Sequence, residues 1–297
     1  MKLSLFAQDP WRFGRKLIGW LIVLLGAGYG LQQLYLLMQQ HEHIRYAFYA
    51  GMVAATATAV GTLPALFSHS VSRRLHDGML GFGAGVMLAA CMFSLIVPAL
   101  AIMDAQGASV WYSSGSVGMA ILLGAALMLL LERLVPHEHF IKGAEGQLQR
   151  TLKRSWLFVF AIALHNIPEG LAIGAAYAGG DAVGARALAT GISIQDIPEG
   201  FVVAIALVAV GYSRALAVGI GVLSGLTEPV MAIVGAAILG ESSLLLPWGL
   251  ALAAGAMLFV ISHEMIPESH RQGHELAATN GLMLGFVLMM LLDTALG

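Results

Sequence analysis

Charge is what this sequence has least of. Asp, Glu, Lys and Arg make up only 11% of its 297 residues, while 58% are hydrophobic. A soluble domain carries roughly 25% charge. Together with a mean hydropathy of +0.81, this excludes an ordinary soluble protein and reads as an integral membrane protein. Net charge is −2, and no segment interleaves aromatic with basic residues, so nucleic acid is set aside as a partner. The only cysteine is Cys91, which excludes an intrachain disulfide and a CxxC metal or redox site. Neither G-x-x-x-x-G-K-[ST], the phosphate loop of ATP users, nor the H-E-x-x-H of zinc peptidases occurs.

What is abundant is long apolar runs. Spans of roughly 20 residues are the signature of membrane helices, and nine are expected: 17–38, 46–67, 79–102, 116–131, 155–178, 187–211, 215–239, 244–261 and 281–296. The connections are too short for a separate soluble domain, and 36 glycines suit close helix packing in lipid. Arg12, Arg15 and Lys16 precede the first span as they would in a signal peptide. No small-residue cleavage motif follows, however, and the run continues through "LQQLYLLM" to a spanning length, so an uncleaved anchor is expected.

The basic residues set an orientation. With the N-terminus inside, Lys2, Arg12, Arg15, Lys16, Arg73, Arg74, Lys142, Arg150, Lys153, Arg154, Arg214 and Arg271 are cytoplasmic, and Arg133 sits at an inner helix end. Only Arg45 and Arg186 fall outside. This asymmetry supports nine spans, with the C-terminus outside. Two His-containing pieces, "VPHEHFIKG" with His137 and His139 and "SHEMIPESHRQGHE" after the eighth span, are then both inside. Each reads equally as a solvated loop or a weak metal-capturing one.

Against this apolar background the polar residues stand out. "HNIPEG" (165–170) interrupts the fifth span and "QDIPEG" (195–200) the sixth. Counting along each span puts His165, Asn166, Glu169, Gln195, Asp196, Glu199 and, on the seventh, Glu228 near one level, the bilayer midplane. An acid there costs about 2.5–3.5 kcal/mol, so four amount to roughly 10–14 kcal/mol if uncompensated. No Lys or Arg lies within these spans to offset that. Protons could do so, and divalent cations better. His165 and Glu169, like Gln195 and Glu199, are four apart on one helix face, and Asp196 and Glu199 are three apart. Imidazole with carboxylate suits borderline ions such as Zn²⁺, with Fe²⁺, Mn²⁺ and Cd²⁺ plausible. Four carboxylates balance two divalent ions, which favours a binuclear site bridged by Glu169 and Glu199. Pro168 and Pro198 leave the carbonyls of Leu164 and Ile194 without donors, so a kink is expected in each helix, as at the midplane sites of transporters. Met87 on the third span offers a thioether or merely packs. His263 and Glu264, at the inner end of the eighth, are candidates for an exit relay. Asp293 reads as interfacial.

The paired "HNIPEG" and "QDIPEG" resemble the signature of the ZIP (Zrt/Irt-like) divalent-metal transporters, most closely their bacterial GufA-like branch. The resemblance covers residues 46–297, with a cytoplasmic loop at 136–154, and leaves 1–45 as an N-terminal cytoplasmic segment with an extra membrane helix. It implies an all-α polytopic fold of eight transmembrane helices with an inverted repeat, nine helices with the extra one. It further implies a homodimer carrying Zn²⁺, and Cd²⁺ or similar ions, across the inner membrane into the cytoplasm by an elevator-like movement. One ion would be held by Met87, His165, Glu169, Gln195 and Glu199. The second would be held by Asn166, Glu169, Asp196, Glu199 and Glu228. The metal is substrate, not cofactor, and no enzymatic activity is expected. The chain lacks the long histidine tract that many members carry between the fourth and fifth spans.

The residues also admit two other classes. An intramembrane metal-dependent hydrolase, with Glu169 or Glu199 as general base, needs an open metal position where this ligand shell looks nearly saturated. A metal sensor without flux has no need of helix breakers at mid-depth. The residues leave the ion preference open, and with it the choice between facilitated diffusion and exchange for the protons that metal displaces.

Overall fold

A computed structural model describes residues 10–67, 71–134, 149–271 and 273–296, with side chains from 164 onward in the fifth span. His137 and His139 lie outside the described residues. The described chain is helical throughout, with no strand. Eight of its helices are long and apolar enough to cross a membrane: Ile18–Gln40, Glu42–Leu66, Arg73–Ala105, Val110–Leu134, Ala182–Ala209, Arg214–Leu239, Leu246–Ser269 and Glu275–Ala295. The 30-residue helix Gln149–Ala178, which carries "HNIPEG", makes the ninth.

In chain order the elements are α1 (Pro10–Gln40), α2 (Glu42–Thr62, ending in a 3₁₀ turn at Leu63–Leu66), α3 (Arg73–Ala89), α4 (Val97–Ala105), α5 (Val110–Leu134) and α6 (Gln149–Ala178). They continue with α7 (Ala182–Ala209), α8 (Arg214–Gly225), α9 (Thr227–Leu239), α10 (Leu246–Val260), α11 (Ile266–Ser269) and α12 (Glu275–Leu296). A π-helical segment, Ala90–Ile96, joins α3 to α4, and another, Ile261–Met265, joins α10 to α11. Each ends two residues before a proline, Pro98 or Pro267. A proline withholds the N–H that the carbonyl four residues back would accept and its ring crowds that carbonyl, so a wider turn relieves the mismatch.

Pro168 and Pro198 lie inside the two motif helices, α6 and α7. Both helices run unbroken through Pro168 and Pro198. A full interruption of helix falls in the seventh span, at the single residue Leu226 between α8 and α9, just before Glu228 and Pro229. Proline in the first turn of a helix has no intrahelical donor role to lose, which makes this the cheaper place to break.

Packing sorts the helices into two groups. In one, α6 lies along α9, and α2 lies along both α7 and α9. In the other, α3 lies along α12 and α5 along α10. Small residues set these approaches. A Cβ on Gly81, Gly85, Gly281 or Gly285 would run into the backbone across the α3–α12 seam, and one on Gly124 or Gly255 would do so between α5 and α10. In lipid, where apolar contact alone gives little drive, such close backbone packing is a principal source of helix association. The pairings mirror one another: the third span pairs with the ninth as the eighth pairs with the fourth, and both partners in the middle, the third and the eighth, carry the π segments. That is the pattern an inverted repeat of three helices produces. The extra helix α1 stands outside both groups, its membrane stretch exposed on all sides (Trp20 67%, Leu24 67%), with Leu37 and Met38 touching the bundle.

Candidate metal centre

The first helix group brings the two motifs and Glu228 together. Asn166, Glu169, Gln195, Asp196 and Glu228 are each 3% exposed or less. Ligand oxygens of Glu169, Asp196 and Glu199 all lie within 4.8 Å of one another, a spacing one or two divalent ions can bridge. The glycines that close the motifs make this approach possible. A Cβ on Gly170 would meet the Glu228 carbonyl at 2.5 Å, and one on Gly200 would run into the carbonyl of Thr58. Each motif thus ends on the residue that lets its helix press against a neighbour, α6 on α9 and α7 on α2.

Few hydrogen bonds tie the cluster. The Gln195 amide donates to Glu169 Oε1 and to Asp196 Oδ1, the latter at 2.7 Å. Thr58 Oγ1 donates to Glu228 Oε1 at 3.0 Å. What remains is a set of buried polar atoms with no partner: Asn166 Nδ2, Glu169 Oε2, Gln195 Oε1, Asp196 Oδ2, Glu199 Oε2 and Glu228 Oε2. Buried polar groups are normally satisfied, and six orphans in one cluster, five of them oxygens, describe a cation's coordination shell better than a core.

The remaining candidates fall around this cluster. Met87 is 1% exposed on α3, one turn beyond Gly83, whose added Cβ would lie 3.1 Å from Gln195 Oε1. The α3 face bearing both positions therefore turns towards the motif helices. His165 pairs through Nε2 with Glu264 Oε2 at 2.6 Å. Glu264 therefore borders the cluster, while its neighbour His263 points elsewhere, to Glu132 Oε1 at 3.4 Å, and stacks on Phe259. Adjacent residues on a helix share no face, which accounts for this divergence. Asp293 is held by a 2.5 Å bond from Ser94, which anchors α12 to the other π segment.

Three residues escaped the sequence reading. Thr58 lies close to the middle of the second span, and the depth count that found the acids would have found it; an isolated threonine carried no charge to draw attention. Glu132 sits beside Arg133 at the end of α5, where a polar residue carries no signal of its own. Asp77, fully buried at the inner end of α3, lies between His76 Nδ1 at 3.2 Å and His274 Nδ1 at 3.3 Å.

A cavity adjoins the cluster, lined by Thr58, Asn166, Asp196, Glu199, Val203 and Ser224 among others. It is small, with a volume of about 10 Å³, and lies between α2, α6, α7 and α8.

Residues 137–293 match the family model described as ZIP Zinc transporter. The chain is 50% identical to the Zinc transporter ZIPB of Bordetella bronchiseptica, over 87% of this chain and 84% of that protein. It is 46% identical to the Zinc transporter GufA of Myxococcus xanthus, over 84% and 98%. Similarity extends to the human Zinc transporter ZIP11, at 30% over 88% of this chain and all of that protein. A family match over more than half the chain, with relatives at this identity, sets aside the hydrolase reading. The chain belongs to the ZIP zinc transporter family and is a multi-pass membrane metal transporter, in the family's GufA-like bacterial group.

Proposed function

We propose that this protein carries Zn²⁺, and Cd²⁺ or similar first-row ions, across the inner membrane into the cytoplasm through a two-ion site at the midplane. The observation that carries the reading is the cluster of six unpartnered buried polar atoms on α6, α7 and α9. Met87, His165, Glu169, Gln195 and Glu199 hold one ion. Asn166, after an amide turn that presents its oxygen, holds the second with Glu169, Asp196, Glu199 and Glu228. Two divalent charges neutralise four carboxylates, which removes most of the cost of keeping those acids in lipid.

Direction is supported by what lies on the inner side. The distribution of basic residues supports an N-terminus in the cytoplasm. The His165–Glu264 and His263–Glu132 pairs then form successive polar stations leading inward, where Glu264 and His263 serve as exit ligands. The two packing groups support an elevator-like step: α2, α6, α7, α8 and α9 carry the ions and slide against α3, α5, α10 and α12, which form the wall and a homodimer contact.

The test is metal flux. Proteoliposomes of the intact protein take up Zn²⁺ and Cd²⁺, and Glu169→Ala and Glu199→Ala abolish uptake. Intact protein that binds metal yet moves none would leave a sensor, and overturn the reading.

A further inference from the structure

A second group of metal-ligating side chains lies far from the midplane. Ligand atoms of His41, His43 and Glu241 all fall within 4.8 Å of one another. His41 is the one non-helical residue between α1 and α2, with extended backbone (φ −126°, ψ 105°). Two histidines at i and i+2 on a helix would face apart. The break at His41 instead lets the two rings meet edge to face, 5.5 Å between centroids. Glu241 comes from the turn after α9, and its Oε1 lies 3.2 Å from His41 Nδ1.

Two features distinguish this group from an incidental surface pair. His43 Nε2 is buried with no hydrogen-bond partner, so the His41–Glu241 contact alone leaves the site unfinished. Gly240 keeps the space for that ring: a Cβ there would collide with His43 Nε2. Its backbone has φ −67°, where any L-residue is at ease, so the room, not the conformation, calls for glycine.

We infer that His41, His43 and Glu241 bind one divalent cation of the zinc class at the outer mouth, and that the midplane site is loaded from it. Two imidazoles and a carboxylate are a three-ligand zinc set that leaves a fourth position for water. Exposure of the Glu241 side chain (65%) and of His41 (32%) keeps that position open to exchange, as a loading site requires and a closed structural site does not. The cluster straddles the outer ends of α2 and α9, the helices that bring Thr58 and Glu228 to the centre. At 1.5 Å per residue, His43 stands about 22 Å above Thr58 and Glu241 about 20 Å above Glu228, so both arms end at one level over the midplane site. The loading role rests on the proposed transport reading; the binding site does not.

The test uses the intact protein in detergent, equilibrium-dialysed against Zn²⁺, beside His41→Ala/Glu241→Gln and Gly240→Ala. Each variant should bind one ion fewer per chain, and Glu169→Ala/Glu199→Ala should keep the outer ion. Equal stoichiometry in the intact chain and both variants would overturn the site. In proteoliposomes, His41→Ala/Glu241→Gln should raise the KM for Zn²⁺ at least about fivefold with the maximal rate within about twofold, the mark of lost binding ahead of the transport step. An unchanged KM would overturn the loading role. Absence of uptake by the intact chain, with the outer ion still bound, would count against the transporter reading alone.

Discussion

Thr58 and Glu228 show how single residues would prepare the proposed metal site. Glu228 has one oxygen held by the Thr58 hydroxyl at 3.0 Å and the other unpartnered. The first bond fixes the rotamer, and the second oxygen is left for the ion. Removing the hydroxyl leaves a buried carboxylate oxygen without its donor, which costs about 1–3 kcal/mol. Thr58→Val, close in shape, should therefore bind Zn²⁺ more weakly by about tenfold, since 1.4 kcal/mol is a factor of ten, while Thr58→Ser keeps the bond and most of the affinity. Calorimetric titration of the two variants checks this, and equal affinities would remove Thr58 from the site. His165 is tied differently, to Glu264 on the facing group. Glu264→Gln should slow release more than it weakens binding, and a stopped-flow efflux trace from metal-loaded vesicles, slower with dissociation constants unchanged, is the expected outcome.

At the scale of helices, the motif glycines matter as much as the ligands. Gly170→Ala places a methyl against the Glu228 carbonyl and the Met231 side chain, and overpacking of this kind costs about 1–3 kcal/mol. The expected result is a lower thermal midpoint in detergent together with weaker metal binding, because parting α6 from α9 also parts Asn166 and Glu169 from Glu228. Gly219→Ala, at a position with nothing within 4 Å, is the control and should leave both unchanged. The clustering of the motif acids was legible in the sequence because charge in an apolar run is costly and therefore conspicuous. Depth counting brought Glu169, Glu199 and Glu228 to one level without any coordinates. The π segments and the break at Leu226 were not legible. A proline reports that one hydrogen bond is missing, not whether the helix will kink, widen or stop, and packing partners decide that. Pro168 and Pro198 lie in helices that run on, while the widening occurs before Pro98 and Pro267. The Glu264–His165 pair was not legible either, since it joins residues 99 positions apart and depends on how the eighth span packs against the fifth.

For the whole molecule, the division into two packed groups makes movement testable. Met87 stands on α3, in one group, while the motif ligands stand on α6, α7 and α9, in the other. In the proposed elevator step an ion bound to both groups would shed or regain the Met87 thioether, so immobilising the seam should stop flux without removing the site. Gly191 on α7 faces Met289 on α12 closely enough that an added Cβ would overlap the sulfur, which brings these two positions within reach of a disulfide once both are cysteine. Cys91 is the only native cysteine and is fully buried, so Cys91→Ser supplies a clean background. In that background Gly191→Cys/Met289→Cys should cross-link under mild oxidation. Oxidised protein in liposomes should lose Zn²⁺ uptake while retaining bound metal by equilibrium dialysis, and reduction should restore flux. Uptake that survives complete cross-linking would mean that ions pass between groups that stay fixed, and the sliding step would have to be replaced by local opening along the cavity beside Asn166 and Glu199.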